Sequence, residues 1–251
     1  MNGRYYFASD FHLGIPDRLK SLEREKKLVE WLDLVRKDAK VIYLMGDLFD
    51  FWFEYKSVIP RGYARLLGKL TEITDSGIEV HLFRGNHDMW AFGYLQEELG
   101  IIMHRDSEIV NLGGKVFYLA HGDGLGPGDH GYKFIRRVFA CRFNQWLFRW
   151  LHPDLGIPLA LFWSRKSRFA NEVKEAREEE RNLKLIRERL LVNSGEVIRK
   201  HPEIDYLVYG HYHLPSVLPV GDKAKQIVLG DWLTHFSYGV FDGEDFQLKS
   251  V

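Results

Sequence analysis

The chain has 251 residues, 45% of them hydrophobic, with 35 Lys+Arg balanced by 35 Asp+Glu and a single Cys. That apolar content supports a substantial core and excludes intrinsic disorder or a fibrous repeat, while one cysteine excludes an internal disulfide. Zero formal charge leaves no global field for an anionic partner, so any such preference has to come from local clustering. The N-terminus, MNGRYYFASDFHLG, has no apolar run followed by a small-residue cleavage site, which predicts a cytoplasmic protein.

In chain order, short apolar runs that end in polar residues predict strands over 4–9, 40–45, 79–83, 115–120, 205–209 and 226–229. Segments of helical period over 19–36 and 63–74 alternate with the early strands, the pattern of a layered α/β architecture. Asn111-Leu112-Gly113-Gly114-Lys115 is a hairpin signal, so the sheet is expected to be mixed, and 230–251 reads as further β structure with a turn at Asp242-Gly243. One domain over 1–251 is expected.

The middle breaks this rhythm. Between Tyr132 and Trp163 stand nine aromatics: Tyr132, Phe134, Phe139, Phe143, Trp146, Phe148, Trp150, Phe162 and Trp163. Extended to Arg168, the stretch holds Lys133, Arg136, Arg137, Arg142, Arg149, Arg165, Lys166 and Arg168 against Asp154 alone, a local charge of +7. Its period is helical and Pro153 and Pro158 punctuate it, which predicts a helical insertion over roughly residues 128–192, between the strands preceding His121 and His211. Acids and bases alternate over 171–189, as on a long solvated helix. The longest uncharged apolar stretch, 155–163, falls far short of the ~20 residues that span a bilayer, so any membrane contact should be peripheral. Aromatics at helical spacing also build cores, and rings among cations also stack on single-stranded nucleic acid. The density of the cluster in one insertion speaks against a nucleic-acid groove.

The residues that carry chemistry sit where the strands stop: Asp10-Phe11-His12, Gly46-Asp47, Gly85-Asn86-His87-Asp88, His121-Gly122-Asp123 and Gly210-His211-Tyr212-His213. Carboxylate and amide oxygens mixed with imidazoles suit divalent ions such as Mn, Fe or Zn. Any one fragment is commonly a plain turn or surface decoration. Five in order, each after a strand, agree with the rule that open α/β sheets bind ligands beyond the C-terminal ends of their strands. Glycines before Asp47, Asn86 and His211 would permit backbone conformations that turn a ligand over the sheet edge. No Gly-x-Ser-x-Gly elbow occurs, and Cys141 reads as a packing residue of the insertion.

This order of motifs, spanning Asp10 to His213, resembles the calcineurin-like metallophosphoesterases. The resemblance implies a four-layer α/β/β/α sandwich with a two-metal centre. One ion would take Asp10, His12, Asp47 and His213, and the other Asp47, Asn86, His121 and His211. By the same resemblance His87 polarises the leaving-group or phosphoryl oxygen, with Asp50 as its orienting partner. Two ions about 3.5–4 Å apart acidify a shared water and neutralise phosphoryl charge during in-line attack, so no covalent nucleophile is needed.

A narrower resemblance lies in His121-Gly-Asp-Gly-Leu-Gly-Pro-Gly-Asp-His-Gly-Tyr132 with its basic, aromatic insertion, and in Asp47-Leu-Phe-Asp-Phe-Trp52. These look like the UDP-2,3-diacylglucosamine pyrophosphatases of lipid A synthesis, in which the insertion caps the acyl chains. This implies Mn2+-dependent cleavage of a pyrophosphate bond to UMP and an acylated sugar phosphate, at the inner-membrane surface. Asp129 and Tyr132 would lie near the glucosamine phosphate, with Arg165, Lys166, Arg168, Asn171 and Lys174 as further substrate contacts. His87 stands where that group carries Arg. Two other readings compete: a nucleotide or nucleic-acid phosphodiesterase, and a non-catalytic metal-binding module that docks a partner.

Overall fold

A computed structural model of the chain describes residues 3–126, 130–177 and 179–251, without the side chains of Arg165 and of residues 167–187. The first sheet contains β1 (Arg4–Ala8), β2 (Ala39–Leu44), β3 (Glu79–Phe83), β4 (Ile102–His104), β10 (Ser237–Phe241) and β11 (Phe246–Ser250), in the order β11-β10-β1-β2-β3-β4. Its β1 to β4 run parallel and its last two strands antiparallel. The second sheet contains β5 (Glu108–Leu112), β6 (Lys115–Ala120), β7 (Tyr206–Tyr209), β8 (Ser216–Val220) and β9 (Ala224–Val228), in the order β5-β6-β7-β9-β8. Both sheets are mixed: the second through the β5–β6 hairpin that the sequence signalled, the first through β10 and β11.

Alternation of side chains along the strands builds three apolar layers. Tyr6, Ala8, Ile42, Leu44, Val80 and Leu82 face helices α1 (Arg18–Val35) and α2 (Ala64–Asp75). Their neighbours Tyr5, Phe7, Val41, Tyr43 and Phe83 face the other way and meet Phe117, Leu119, Tyr206 and Val208 of the second sheet. Tyr118, Ala120, Leu207 and Tyr209 then turn to α7 (Glu179–Lys200), which buries Leu190 and packs Val197 and Ile198 there. The result is an α/β/β/α sandwich.

Helix α1 begins at Asp17, whose Oδ1 accepts from the N–H groups of Leu19 and Lys20 at 2.8 and 2.9 Å, satisfying two orphan donors of the first turn. Leu28, Trp31, Leu32 and Val35 recur at helical spacing on its buried face. In the β5–β6 hairpin, Gly113 (φ 59°) and Gly114 (φ 88°) form the two-residue turn, a left-handed pair that side chains resist.

Several elements escape the sequence pattern. Strand β4 has three residues, too few for a period, as does α3 (Tyr94–Glu97) with four. Strand β8 contains Pro219 and is an edge strand of its sheet, where a missing N–H is tolerated. Residues 130–177 form α4 (His130–Ala140), α5 (Arg142–Arg149) and α6 (Pro153–Arg177). Pro153 opens α6, and Pro158 lies within it instead of ending it. Cys141, expected to pack, is exposed between α4 and α5. Of the aromatics here, Phe148 packs on Phe51, Phe53 and Trp90, whereas Phe134, Phe143, Trp146, Trp150, Phe162 and Trp163 are exposed. No helix among the described residues is long and apolar enough to cross a membrane.

Candidate metal centre

The loops after β1, β2, β3, β6 and β7 converge at one end of the two sheets. Seven non-glycine residues have positive φ among the described ones, and five are Asp10, His12, Asp47, His211 and His213. Each such backbone costs roughly 1–3 kcal/mol and persists only where its surroundings enforce it. Here the loops brace one another: the N–H groups of Asp10 and His12 donate to the carbonyls of Gly46 and Asp47 at 3.1 and 2.9 Å, and that of Trp232 donates to the carbonyl of Asp10 at 3.1 Å. Arg24, buried on α1, donates from Nη1 to the carbonyls of Phe11, His12 and Ile15 at 3.2, 2.9 and 3.2 Å.

The glycines act more through space than through conformation. Gly46 alone of the three has positive φ (101°), and a Cβ there would strike the His121 ring. Gly85 and Gly210 have ordinary backbones, but a methyl group would collide with the Asp47 carboxylate and with Ser9 Oγ and Asp10 Oδ2 respectively.

Donor atoms of Asp10, His12 and His213 lie within 4.8 Å of one another, as do those of His12, Asp47 and His87, and those of Asp47, His121 and His211. His12 Nε2 is 3.1 Å from His213 Nε2, 3.7 Å from Asp10 Oδ1 and 3.8 Å from Asp47 Oδ2. Asp47 Oδ2 lies 3.3 Å from His121 Nε2, so this carboxylate stands between the two halves of the cluster. His121 Nδ1 donates to the Met45 carbonyl at 2.7 Å and His87 Nδ1 to the Asp50 carbonyl at 2.9 Å, which leaves Nε2 of each ring with its lone pair when neutral. Asp10 Oδ2 and Asp47 Oδ1 are taken by the N–H groups of His211 and His87 at 2.7 and 2.8 Å.

Six buried side-chain polar atoms lack a hydrogen-bond partner among the described residues, and three are Asp10 Oδ1, Asn86 Oδ1 and His121 Nε2. Orphaned buried acceptors are rare and unfavourable unless another group satisfies them. Two oxygens and an imidazole nitrogen left over on the loops at this end of the sheets are the donor types a divalent cation takes. The charges agree. Burial pushes the Asp10 carboxyl up, but the nearby imidazoles, His213 first with Nε2 3.3 Å from Oδ1, outweigh that and hold it at about 2. Burial opposes ionisation of Asp47 too, yet His121 and His87 hold it well below the usual carboxylate range. His121 is disfavoured as a cation by burial but raised by Asp47. Asp88, pushed to about 6 by burial and the Asp47 charge, accepts from the N–H groups of Gly85 and Leu48 at 2.7 and 2.8 Å and ties two loops together.

All seven expected ligands, with His87 and Asp50, are thus at this end of the sandwich. Tyr132 is there as well, donating from its hydroxyl to Asp123 Oδ2 at 2.7 Å, with its ring 6.2 Å from that of His211. Lys166 is exposed on α6. Asp129 and the side chains of Arg165, Arg168, Asn171 and Lys174 lie outside the described residues. Three participants carry no motif signal: Arg24, Asp231, whose Oδ2 is 3.7 Å from His213 Nδ1, and Ser164, which reaches Asp50 from α6.

The family model of the calcineurin-like phosphoesterases matches residues 3–215. The chain belongs to that family. A curated relative from Porphyromonas gingivalis, named UDP-2,3-diacylglucosamine hydrolase, is 37% identical over 100% of this chain and 98% of its own. One of the same name from Edwardsiella ictaluri is 28% identical over 84% of this chain and 79% of its own. A solved dimetal phosphatase from Danio rerio is similar with a TM-score of 0.46 and 13% identity, covering 99% of this chain and 95% of that one. This calcineurin-like phosphoesterase is a metal-dependent hydrolase that uses divalent ions.

Proposed function

We propose that this phosphoesterase hydrolyses the pyrophosphate bond of UDP-2,3-diacylglucosamine, giving UMP and 2,3-diacylglucosamine 1-phosphate, with two divalent ions, most readily Mn2+. The observation that carries the substrate assignment is the P. gingivalis relative of that name, 37% identical over 100% of this chain and 98% of its own. Asp10, His12, Asp47 and His213 would hold one ion, and Asp47, Asn86, His121 and His211 the other. Bound there, the ions supply Lewis acidity and lower the pKa of a water. The chain's own residues do the rest. Asp47, placed between the two halves, fixes their separation. His87, its Nδ1–H held by the Asp50 carbonyl, would as an imidazolium donate from Nε2 to the phosphoryl or leaving oxygen. Asp50 orients the rings beside it.

Residues 1–251 are read as one domain in which the insertion of roughly 128–192 caps this centre. Tyr132 and Asp129 would bound the glucosamine phosphate, and Arg165, Lys166, Arg168, Asn171 and Lys174 the anionic groups. Exposed rings such as Trp146, Trp150 and Phe143 would bury acyl methylenes at about 0.8 kcal/mol each. The same face, with its cations, suits an anionic bilayer surface.

The decisive assay is release of UMP from UDP-2,3-diacylglucosamine with added Mn2+. The proposal expects turnover that falls at least about 100-fold in kcat/KM on the deacylated sugar nucleotide, since remote binding energy is then lost. Equal rates would remove the cap from the mechanism, and hydrolysis of nucleotides without UMP release would favour a nucleotide phosphodiesterase. Sedimentation with anionic vesicles should carry the wild-type protein down and fail for Trp146→Ala/Trp150→Ala. Sedimentation unchanged by those substitutions would remove this face from membrane contact.

A further inference from the structure

One hydroxyl from the helical segment enters the centre. Ser164, on α6, donates to Asp50 Oδ2 at 2.8 Å and lies 3.4 Å from His87 Nδ1, although 114 residues separate it from Asp50. Asp50 is buried, with 1% of its surface exposed, and it stands among imidazoles. Its Oδ1 is 3.5 Å from His12 Nδ1 and 3.8 Å from His87 Nδ1, and its own backbone carbonyl accepts from the His87 ring Nδ1–H at 2.9 Å. The His12 ring therefore has Nδ1 toward Asp50 and Nε2 toward His213 and Asp47. A carboxylate behind an imidazole in this way fixes the ring and raises its basicity as a ligand. With one oxygen turned to two imidazoles, the carboxylate's orientation depends on what holds the other oxygen, and Ser164 supplies a charge-assisted donor there.

We propose that Ser164 is a positioning residue: its hydroxyl, carried on α6, sets the Asp50 carboxylate and through it the imidazoles of His12 and His87. This hydrogen bond then couples the seating of α6 to the geometry of the metal centre. The inference rests on the centre being hydrolytic and not on the acylated substrate, so its test uses bis(p-nitrophenyl) phosphate. Failure of the lipid assignment leaves this test intact.

Ser164→Ala should lower kcat on that ester about tenfold with KM unchanged, and Ser164→Thr, which keeps the hydroxyl, should stay within about threefold of wild type. Because the residue acts through Asp50, Ser164→Ala/Asp50→Asn should be no slower than Asp50→Asn alone, the non-additivity of groups that work as a unit. A second reading needs no turnover: in calorimetric titration with Mn2+ alone, Ser164→Ala should bind about tenfold more weakly, with no further loss when added to Asp50→Asn. Thermal melting of each variant establishes that it is folded. An unchanged kcat, multiplicative losses in the double variant, or a Mn2+ affinity that Ser164→Ala leaves intact would each overturn the proposal.

Discussion

At Asp47 three requirements meet in one residue. Its backbone is left-handed (φ 52°), its side chain is buried, and a Cβ on Gly85 would occupy the space its carboxylate fills. One oxygen accepts from the His87 N–H and the other lies between His12 and His121. Asp47→Ala should therefore reduce turnover of any phosphodiester below about one-thousandth, the loss of several kcal/mol of charge stabilisation. The far-UV circular dichroism should remain that of the wild type, because the change removes a buried charge without touching the apolar layers. Near-normal turnover would disconnect this carboxylate from the chemistry. Asp47 was legible from its place in Gly46-Asp47 after a strand, whereas Ser164 was not. A serine in a helical segment has no distinguishing neighbour, and only the seating of α6 brings it within 2.8 Å of Asp50.

Helix α1 shows how an element that carries no motif of its own shapes the centre. Its buried face continues from Leu28, Trp31 and Leu32 back to Arg24 and Glu25. Glu25 accepts from the N–H groups of Arg65 and Leu66 at the start of α2, and Arg24 gathers the carbonyls of the loop that holds His12. The helical period over 19–36 says nothing of these two charges, since their burial depends on backbone groups of other segments. Arg24→Met keeps the length of the side chain but removes the donors. Urea unfolding should show a loss of about 3 kcal/mol from carbonyls left unpaired in the interior. Titration with Mn2+ should show roughly tenfold weaker binding as the His12 loop relaxes. A loss of stability with metal affinity intact would confine α1 to a scaffold role. The strands were legible at this scale because both sheets are covered and their residues are apolar on two faces, but β8 was hidden by Pro219, which only an edge position tolerates.

For the molecule as a whole, the neutral charge conceals a division. Residues 132–168 carry +7, so the remainder carries −7, and part of that is buried as Asp10, Asp47, Asp50, Asp88 and Asp123 near one end of the sheets. Burying carboxylates together is unfavourable without compensating cations. Ions that bind the folded chain alone should then raise its stability: at a Mn2+ concentration 100 times Kd the gain is about 2.7 kcal/mol, or roughly 5–10 °C in Tm for a chain of this size. Differential scanning calorimetry with and without chelator measures it, and a Tm indifferent to Mn2+ would mean that the carboxylates are satisfied by the protein itself. The sequence by itself determined the layered α/β class, most strands and the set of residues that meet at the centre, because apolar period and motif order are local and survive in one dimension. Tertiary structure decided the rest. The strained left-handed ligand loops, the space kept by Gly85 and Gly210, the inward arginine of α1 and the contact of Ser164 with Asp50 each depend on segments distant in the chain. Their energies come from close approach and burial, which no local pattern encodes.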